Sequence, residues 1–284
     1  MEKKILWLIS FALIFILWFK VEPTQKLSSN QSKNQVSEAK SDSSPAKSGE
    51  ATSEEKSYFK AHPIKTKTPD FSSITDVKQR KLIFFNFLTP LVKEKNTLLL
   101  AERARLISLK EKAKSLSRKD KNWVLGLMSN YKLDKVDIIS VENMDQLLMF
   151  IDIVPTSLVL AQAANESAWG TSRFAIDGNN FFGQWCFRKG CGLVPSSRNE
   201  DADHEVRKFA NARESVFAYI DNLNSNRAYE ELRSIRTELR KKNEPITGLA
   251  LVHGLDHYSE RGQAYVDEIE GLIQYNKLWQ FNTH

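Results

Sequence analysis

The sequence predicts a mainly α fold of the α+β class, in which helices surround a small β lobe. Apolar residues recur at helical spacing over residues 71–131, a nearly all-apolar helical segment covers residues 155–169, and amphipathic patterns return from residue 213 onward. Residues 204–209 instead alternate polar and apolar side chains, as a half-buried strand does. The 284 residues show no internal repeat and suffice for one substantial core.

The first 20 residues have the pattern of an export signal. Lys3 and Lys4 precede residues 5–19, which are apolar apart from Ser10, and Lys20 closes the run. These 15 residues are few for a bilayer core of about 30 Å. Because no Ala-x-Ala cleavage site follows, we expect residues 1–20 to be an uncleaved signal anchor, with a cleaved signal peptide as the alternative.

Residues 21–70 predict a disordered linker. Ser, Lys, Glu, Gln and Asn dominate this stretch, and large apolar residues are scarce. Such a composition buries too little apolar surface to offset the entropy lost on folding.

Residues 71–139 predict a basic helical segment that packs on the domain after it. Pro90 is expected to break the helix. Residues 72–121 contain 13 Lys and Arg against 5 Asp and Glu, a balance of +8, whereas the whole chain carries +6. This surface would attract anionic lipid or an acidic wall, or it is a solvated helix face. Nucleic acid is not expected as a partner, since no recognised binding motif occurs.

The helix predicted over residues 155–169 carries a single acid. On a wheel of about 100° per residue, Gln162, Asn165 and Glu166 share one arc of an otherwise apolar helix. Pro155 suits the first turn of this helix and Gly170 its end, so Glu166 should lie near the carboxyl end. A lone buried acid has a raised pKa, as a proton donor at neutral pH requires. A cap or a salt bridge to a neighbouring helix is the plainer interpretation.

Aromatic and amide side chains follow this acid. Trp169, Phe181 and Asn180 lie within 15 residues of Glu166, and residues 177–180 (DGNN) favour a turn with positive φ. Rings and amides beside an acid suit the binding of a sugar, whereas a core cluster behind a tight loop is the alternative.

Together these segments resemble the bacterial glucosaminidase domain of glycoside hydrolase family 73. The matching motifs are residues 161–170 (AQAANESAWG) and 179–183 (NNFFG). Similarity to the Bax-type branch of the family extends through residues 184–187 (QWCF), 191–195 (CGLVP), 204–206 (HEV) and 258–262 (YSERG). The resemblance covers residues 140–278 and, more weakly, the helical segment from residue 71.

The resemblance implies a lysozyme-like catalytic domain over residues 140–284 with a short β lobe. It also implies cleavage of the β-1,4 bond between N-acetylglucosamine and N-acetylmuramic acid in peptidoglycan glycan strands, with Glu166 as the general acid. A lytic transglycosylase of the same fold and a non-catalytic wall-binding protein are the alternatives.

The second catalytic group is open at this point. Glu205, in the predicted strand, is the first candidate, and the other acids of the preceding loop, Glu200, Asp201 and Asp203, could replace it. The N-acetyl group of the substrate could also attack the anomeric carbon itself. Tyr265 matches a tyrosine that the family carries near the catalytic acid, although it could simply pack on its amphipathic helix. The residues expected to bind substrate are Gln162, Trp169, Asn180, Phe181 and Tyr258.

Cys186 and Cys191 close a short loop beside the expected site. In an oxidising compartment such a pair favours a disulfide over two free thiols. No metal is expected, because His253 and His257 are four apart but lack a third ligand. No cofactor is expected either, since phosphate-binding loops and nucleophile elbows are absent. A wall substrate places the domain in the bacterial periplasm, anchored to the inner membrane through residues 5–19, or secreted if the signal is cleaved.

Overall fold

Helices account for most of the fold, which confirms the predicted mainly α class. The structure is a computed structural model that describes residues 52–64, 67–133, 139–195 and 204–282. The helices in these residues are α1 (Ser53–Ala61), α2 (Val77–Lys110), α3 (Arg118–Asn130), α4 (Val141–Phe150), α5 (Thr156–Glu166), α6 (Arg173–Gly178), α7 (Ala212–Ser225), α8 (Glu230–Lys242), α9 (Gly248–Leu251) and α10 (Gln263–Tyr275). Short 3-10 turns lie at Phe71–Ser73, Ala113–Ser115, Arg227–Tyr229, Val252–Leu255 and Leu278–Phe281.

The predicted β lobe is a small antiparallel sheet between α6 and α7. Its strands are β1 (Trp185–Cys186), β2 (Gly192–Leu193) and β3 (Glu205–Arg207), in the spatial order β1-β3-β2. Val206 lies opposite both Trp185 and Leu193, so β3 is the central strand. The strand predicted over residues 204–209 is therefore present and forms the middle of the lobe.

Helix α5 runs through the centre of the core. All nine residues from Thr156 to Ala164 are buried, and the helix packs against α2, α9 and α10. A helix whose side chains are mostly small and apolar on every face is typical of a position enclosed by the core. Its last turn emerges from the core, and this places Glu166 at the edge of the helical domain.

Pro90 does not break the helix that contains it, so that prediction is wrong. Helix α2 continues for 34 residues through Pro90. Leu88 and Val92, on either side of the proline, are fully buried in the core. Their packing outweighs the cost of about 3 kcal/mol that a proline imposes inside a helix.

Residues 53–61 are helical, so the predicted linker 21–70 was drawn too long. A capping box starts α1, in which Thr52 and Glu55 each accept a backbone N–H of the other. Phe59 packs edge-on against Phe217 of α7, with 5.2 Å between ring centroids. Docking on distant parts of the chain stabilises a helix whose own composition is polar. Residues 21–51 of the predicted linker lie outside the described residues.

One core joins the two sides of the predicted boundary at residue 139. Helix α2 packs on α4, α5 and α7, and all described residues belong to one compact unit. The division at residue 139 remains a prediction. The predicted anchor, residues 1–20, lies outside the described residues, and no helix within the described ranges is both long and apolar enough to cross a membrane.

Candidate active site

Glu166 is the last residue of α5, near the carboxyl end that Pro155 and Gly170 predicted, and the chain reverses directly after it. Ala168, Trp169 and Gly170 all have positive φ, at 49°, 60° and 79°. A Cβ added to Gly170 would lie 2.3 Å from a ring carbon of Phe71, so only glycine fits there. This left-handed turn ends the helix and leaves the half-buried Glu166 side chain at its rim.

The two carboxyl oxygens of Glu166 have different surroundings. Oε1 accepts a hydrogen bond of 2.8 Å from the Tyr265 hydroxyl and a longer one, 3.4 Å, from Asn165 Nδ2. Oε2 has no hydrogen-bond partner among the residues that the structure describes. Gly183, with φ of 64°, lies beside Oε2, and a Cβ added there would be 3.8 Å away. A carboxylic acid in this niche therefore carries its proton on Oε2.

Burial raises the pKa of Glu166 above its ordinary value. The hydrogen bonds from Tyr265 and Asn165 act in the opposite direction, and burial outweighs them. The Glu268 carboxylate adds a smaller upward contribution, which Arg261 partly offsets. A group that keeps its proton to higher pH than an ordinary glutamate is suited to general acid catalysis.

A buried hydrogen-bond network lies behind Glu166. Gln162 Nε2 donates to the Tyr265 oxygen at 2.8 Å, and the Tyr219 hydroxyl donates to Gln162 Oε1. Burial and the nearby Glu166 raise the pKa of Tyr265 far above its ordinary value, so its hydroxyl is neutral and acts as a donor. Helices α5, α7 and α10 each contribute to this network.

Stacked aromatic rings enclose the network. Tyr258 stacks on Tyr265 with ring centroids 5.3 Å apart, and Phe182 stacks on Tyr219 at 3.9 Å. The Tyr258 hydroxyl donates to the backbone oxygen of Phe182 at 3.0 Å and so ties the two stacks together. These rings bury the hydrogen-bond network behind Glu166.

Two of the residues predicted to bind substrate are buried and hold the structure around the site, so their role as substrate contacts stays a prediction. Phe181 has no exposed surface and packs against Phe71 and Phe84. Asn180 is 1% exposed, and its amide holds the loop after it by donating to the backbone oxygens of Gln184 and Arg207. Its side-chain oxygen accepts from two further backbone N–H groups. A side chain that lies near the acid in sequence can therefore be buried and unable to contact a sugar.

The other three predicted substrate-binding residues differ in exposure. Gln162 is fully buried and reaches Glu166 only through Tyr265. Trp169 is partly exposed, packs on Phe85, and has the Lys81 ammonium 4.4 Å above its ring. Tyr258 is partly exposed beside Tyr265. Trp169 and Tyr258 therefore remain predictions as substrate contacts, whereas Gln162 is placed to act through its neighbour.

Glu205 braces the loop that the disulfide closes. Cys186 and Cys191 are disulfide-bonded, the pairing expected from the sequence. Glu205 is 5% exposed, and its two oxygens accept the backbone N–H groups of Gly190 and Gly192 at 2.9 and 2.8 Å. A carboxylate engaged in this way holds the loop in place, which favours a structural role. The other acids considered for the second role, at positions 200, 201 and 203, lie outside the described residues.

Within the described ranges, one group of side chains has the spacing of metal ligands. It consists of Cys186, Cys191 and Glu205, whose ligand atoms lie within 4.8 Å of one another. The disulfide occupies both sulfur atoms, and only thiolates bind metal well.

Sequence reasoning missed Tyr219 as part of the site. Tyr219 lies in an apolar run of α7 that is typical of a core helix. The signal that could have revealed it is its hydroxyl, because a tyrosine buried in a core needs a hydrogen-bond partner. Which partner it finds depends on packing between helices that are distant in sequence.

Two sequence matches and one solved structure relate this chain to known proteins. The family profile described as Glucosaminidase, mannosyl-glycoprotein endo-beta-N-acetylglucosaminidase, matches residues 143–278. The chain is 32% identical over 209 residues to Protein bax of Escherichia coli strain K12, which covers 74% of each chain. Among solved structures, the catalytic domain of the autolysin Auto from Listeria monocytogenes matches with a TM-score of 0.39 and 16% identity, over 82% of this chain and 99% of that one.

The helical domain, its β lobe and the family match define a glycoside hydrolase. The chain belongs to the glucosaminidase family, glycoside hydrolase family 73, in its Bax-type branch. Its activity is of the peptidoglycan-hydrolase type.

Proposed function

We propose that this protein cleaves the β-1,4 bond between N-acetylglucosamine and N-acetylmuramic acid in peptidoglycan, with Glu166 as the general acid. The observation that carries the proposal is the half-buried Glu166 carboxyl, whose pKa is raised by burial and whose Oε2 is free of hydrogen bonds to the described residues. The family match supports the class of substrate.

In the proposed reaction, Glu166 Oε2 gives its proton to the glycosidic oxygen of the leaving sugar. The carboxylate that remains is stabilised by the hydrogen bonds from Tyr265 and Asn165 to Oε1. A hydrogen bond to a charged acceptor is about twice as strong as one to a neutral acceptor. Tyr265 therefore stabilises the charge that develops as the proton leaves, which is the form of assistance that lowers a barrier.

We assign the second catalytic role to the N-acetyl group of the substrate and keep Glu205 as the alternative. The bonds from Gly190 and Gly192 to both Glu205 oxygens support this order. Glu205→Gln should keep product release within about tenfold of wild type, whereas a loss of about 100-fold or more would identify Glu205 as a catalytic carboxylate. The anomeric configuration of the product would then show whether Glu205 acts as a nucleophile, which gives retention, or as a general base, which gives inversion.

We further propose that the catalytic domain lies in the periplasm, anchored to the inner membrane by residues 5–19. The support is the lysine-flanked apolar run in the sequence. An anchored chain stays in the membrane pellet after an alkaline carbonate wash and keeps its first residues in mass spectrometry. A soluble chain that begins after residue 20 would contradict the anchor and indicate secretion.

Product analysis tests the proposed reaction directly. Purified peptidoglycan is digested with the full chain, because α1 packs on the catalytic domain, and the soluble products are reduced and identified by mass spectrometry. Reduced N-acetylglucosamine ends support the proposal. Anhydro ends would identify a lytic transglycosylase, and no release would indicate a non-catalytic binder.

Two variants complete this experiment. Glu166→Gln keeps the shape of the side chain and removes its acidic proton, so product release should fall by about 100-fold or more. Glu238→Gln is the matched control, since Glu238 is exposed on α8 and pairs only with Lys241 at the surface. Equal losses in both variants would contradict a specific role for Glu166.

A further inference from the structure

The hydrogen bonds behind Glu166 form a chain with a defined direction. Tyr219 donates to Gln162 Oε1, Gln162 Nε2 donates to the Tyr265 oxygen, and Tyr265 donates to Glu166 Oε1. Tyr219 and Gln162 have no exposed surface, and Tyr265 is 2% exposed. Water therefore does not compete for these bonds, and each group depends on the next for its orientation.

The Gln162 amide is the element that sets this direction. An amide has a donor end and an acceptor end, whereas a tyrosine hydroxyl has a single proton. If the Gln162 amide were reversed, its oxygen would face Tyr265 and compete with Glu166 for the Tyr265 proton. The Tyr219 proton would then face the amide nitrogen, which is not an acceptor. Leaving such a buried donor unpaired costs about 1–3 kcal/mol, which favours the observed orientation.

We propose that Gln162 and Tyr219 are positioning residues that keep the single proton of the Tyr265 hydroxyl on Glu166 Oε1, so that the transferable proton of the acid is held on Oε2. The inference rests on the proposed role of Glu166 as general acid. Neither residue touches substrate in this account, because both are fully buried. They act on the reaction through Tyr265 alone.

Neither a carboxylate nor an apolar side chain at position 162 could orient the Tyr265 hydroxyl as the amide does. A carboxylate there would accept from both tyrosines, bury a charge and draw the Tyr265 proton away from Glu166. A purely apolar residue would leave the Tyr265 hydroxyl free to rotate. The amide supplies one acceptor toward Tyr219 and one donor toward Tyr265 without any net charge.

The test uses the full chain with Tyr219→Phe, Tyr265→Phe and the double variant. Initial rates on saturating peptidoglycan are measured as a function of pH, together with thermal unfolding of each protein. Tyr219→Phe should lower the saturating rate about fivefold, the effect of one neutral hydrogen bond, and leave the half-saturating substrate concentration unchanged. In the Tyr265→Phe background the same change should have no further effect on the rate.

The pH profile distinguishes positioning from a structural role. The Tyr265 hydrogen bond lowers the pKa of Glu166, so weakening it raises that pKa. The alkaline limb of activity, where the acid loses its proton, should therefore move to higher pH in Tyr219→Phe. If Tyr219→Phe folds poorly, Gln162→Met replaces it, and the alkaline limb should again move to higher pH. Tyr131→Phe is the matched control, because that tyrosine stacks on Phe150 away from the network.

The two proposals fail in different ways. An inactive wild-type chain would overturn the proposed function. An active wild type in which the Tyr219 and Tyr265 effects multiply, or in which the alkaline limb stays in place, would overturn the positioning role alone.

Discussion

At Glu166, burial and hydrogen bonding act on one carboxyl group in opposite directions. Burial favours the protonated form, whereas Tyr265 and Asn165 favour the charged form. The balance leaves the pKa raised, so the acid keeps a proton to give. The same hydrogen bonds grow stronger once the proton has left. Burial therefore favours the acid before proton transfer, and the hydrogen bonds stabilise the carboxylate after it.

Gly170 offers a test of the turn that positions this acid. Gly170→Ala should destabilise the protein by about 2 kcal/mol or more, because the residue has φ of 79° and a Cβ would overlap the Phe71 ring. Gly126→Ala is the control, since a Cβ at Gly126 in α3 meets nothing within 4 Å, and it should stabilise by about 0.5–1 kcal/mol. Chemical denaturation measures both. Similar effects of the two changes would contradict a constrained turn.

At this scale the sequence predicted where Glu166 lies in its helix, but not which of its neighbours are buried. The position of Glu166 near the end of its helix follows from Pro155 and Gly170, which is local information. Whether Phe181 is free depends on rings such as Phe84 in α2, nearly 100 residues away. Burial that is decided by distant partners cannot be derived from local spacing.

Among the elements, α1 shows how a polar segment becomes part of a folded domain. Lys95 of α2 is 7% exposed and lies 2.5 Å from Glu55 of α1 and 2.7 Å from Asp221 of α7. Burial raises the pKa of Asp221 to about 7, against the attraction of Lys95. Near neutral pH, Glu55 is therefore the more constant counter-ion of Lys95, and α1 supplies it.

Replacing Glu55 should loosen α1. Burial opposes the charge of Glu55, but the attraction of Lys95 and its hydrogen bonds hold the pKa below the ordinary 4.5. A group with a lowered pKa stabilises the fold above its ordinary pKa and loses that effect as pH falls below it. Glu55→Ala should therefore speed hydrogen exchange of the α1 amides at pH 7, and this effect should shrink as pH falls through the lowered pKa of Glu55.

Glu54→Ala is the control for this measurement, because Glu54 lies on the exposed side of α1 and outside the ion pair. Exchange in α10 should not change in either variant. Equal exchange in the two variants at pH 7 would contradict the docking role of Glu55.

The elements predicted best from sequence are those with strong local periodicity. Helices α7, α8 and α10 cover the stretch, from about residue 213 onward, in which amphipathic patterns predict helices. The failures at Pro90 and α1 share one cause. In both, tertiary packing overrides a local preference, and the sequence of the segment itself does not contain its partners.

At the scale of the whole molecule, the described residues share one hydrophobic core that extends from Phe71 to Leu278. It includes α2, which belongs to the predicted basic segment, and α5, which carries the acid. The described residues should therefore unfold in one cooperative transition, with equal calorimetric and van't Hoff enthalpies. Scanning calorimetry of the full chain measures this, and two separate transitions would contradict a shared core.

The central claim is that Glu166 retains a proton in a dry niche, and its titration tests that claim most directly. In the full chain labelled with 13C at the glutamate carboxyls, the Glu166 signal is assigned by its absence from Glu166→Gln and followed against pH. We predict a titration midpoint above the ordinary value of 4.5, moving further upward in Tyr265→Phe. A midpoint at or below 4.5 would contradict the account, because burial would then not outweigh the hydrogen bonds that favour the charged carboxylate.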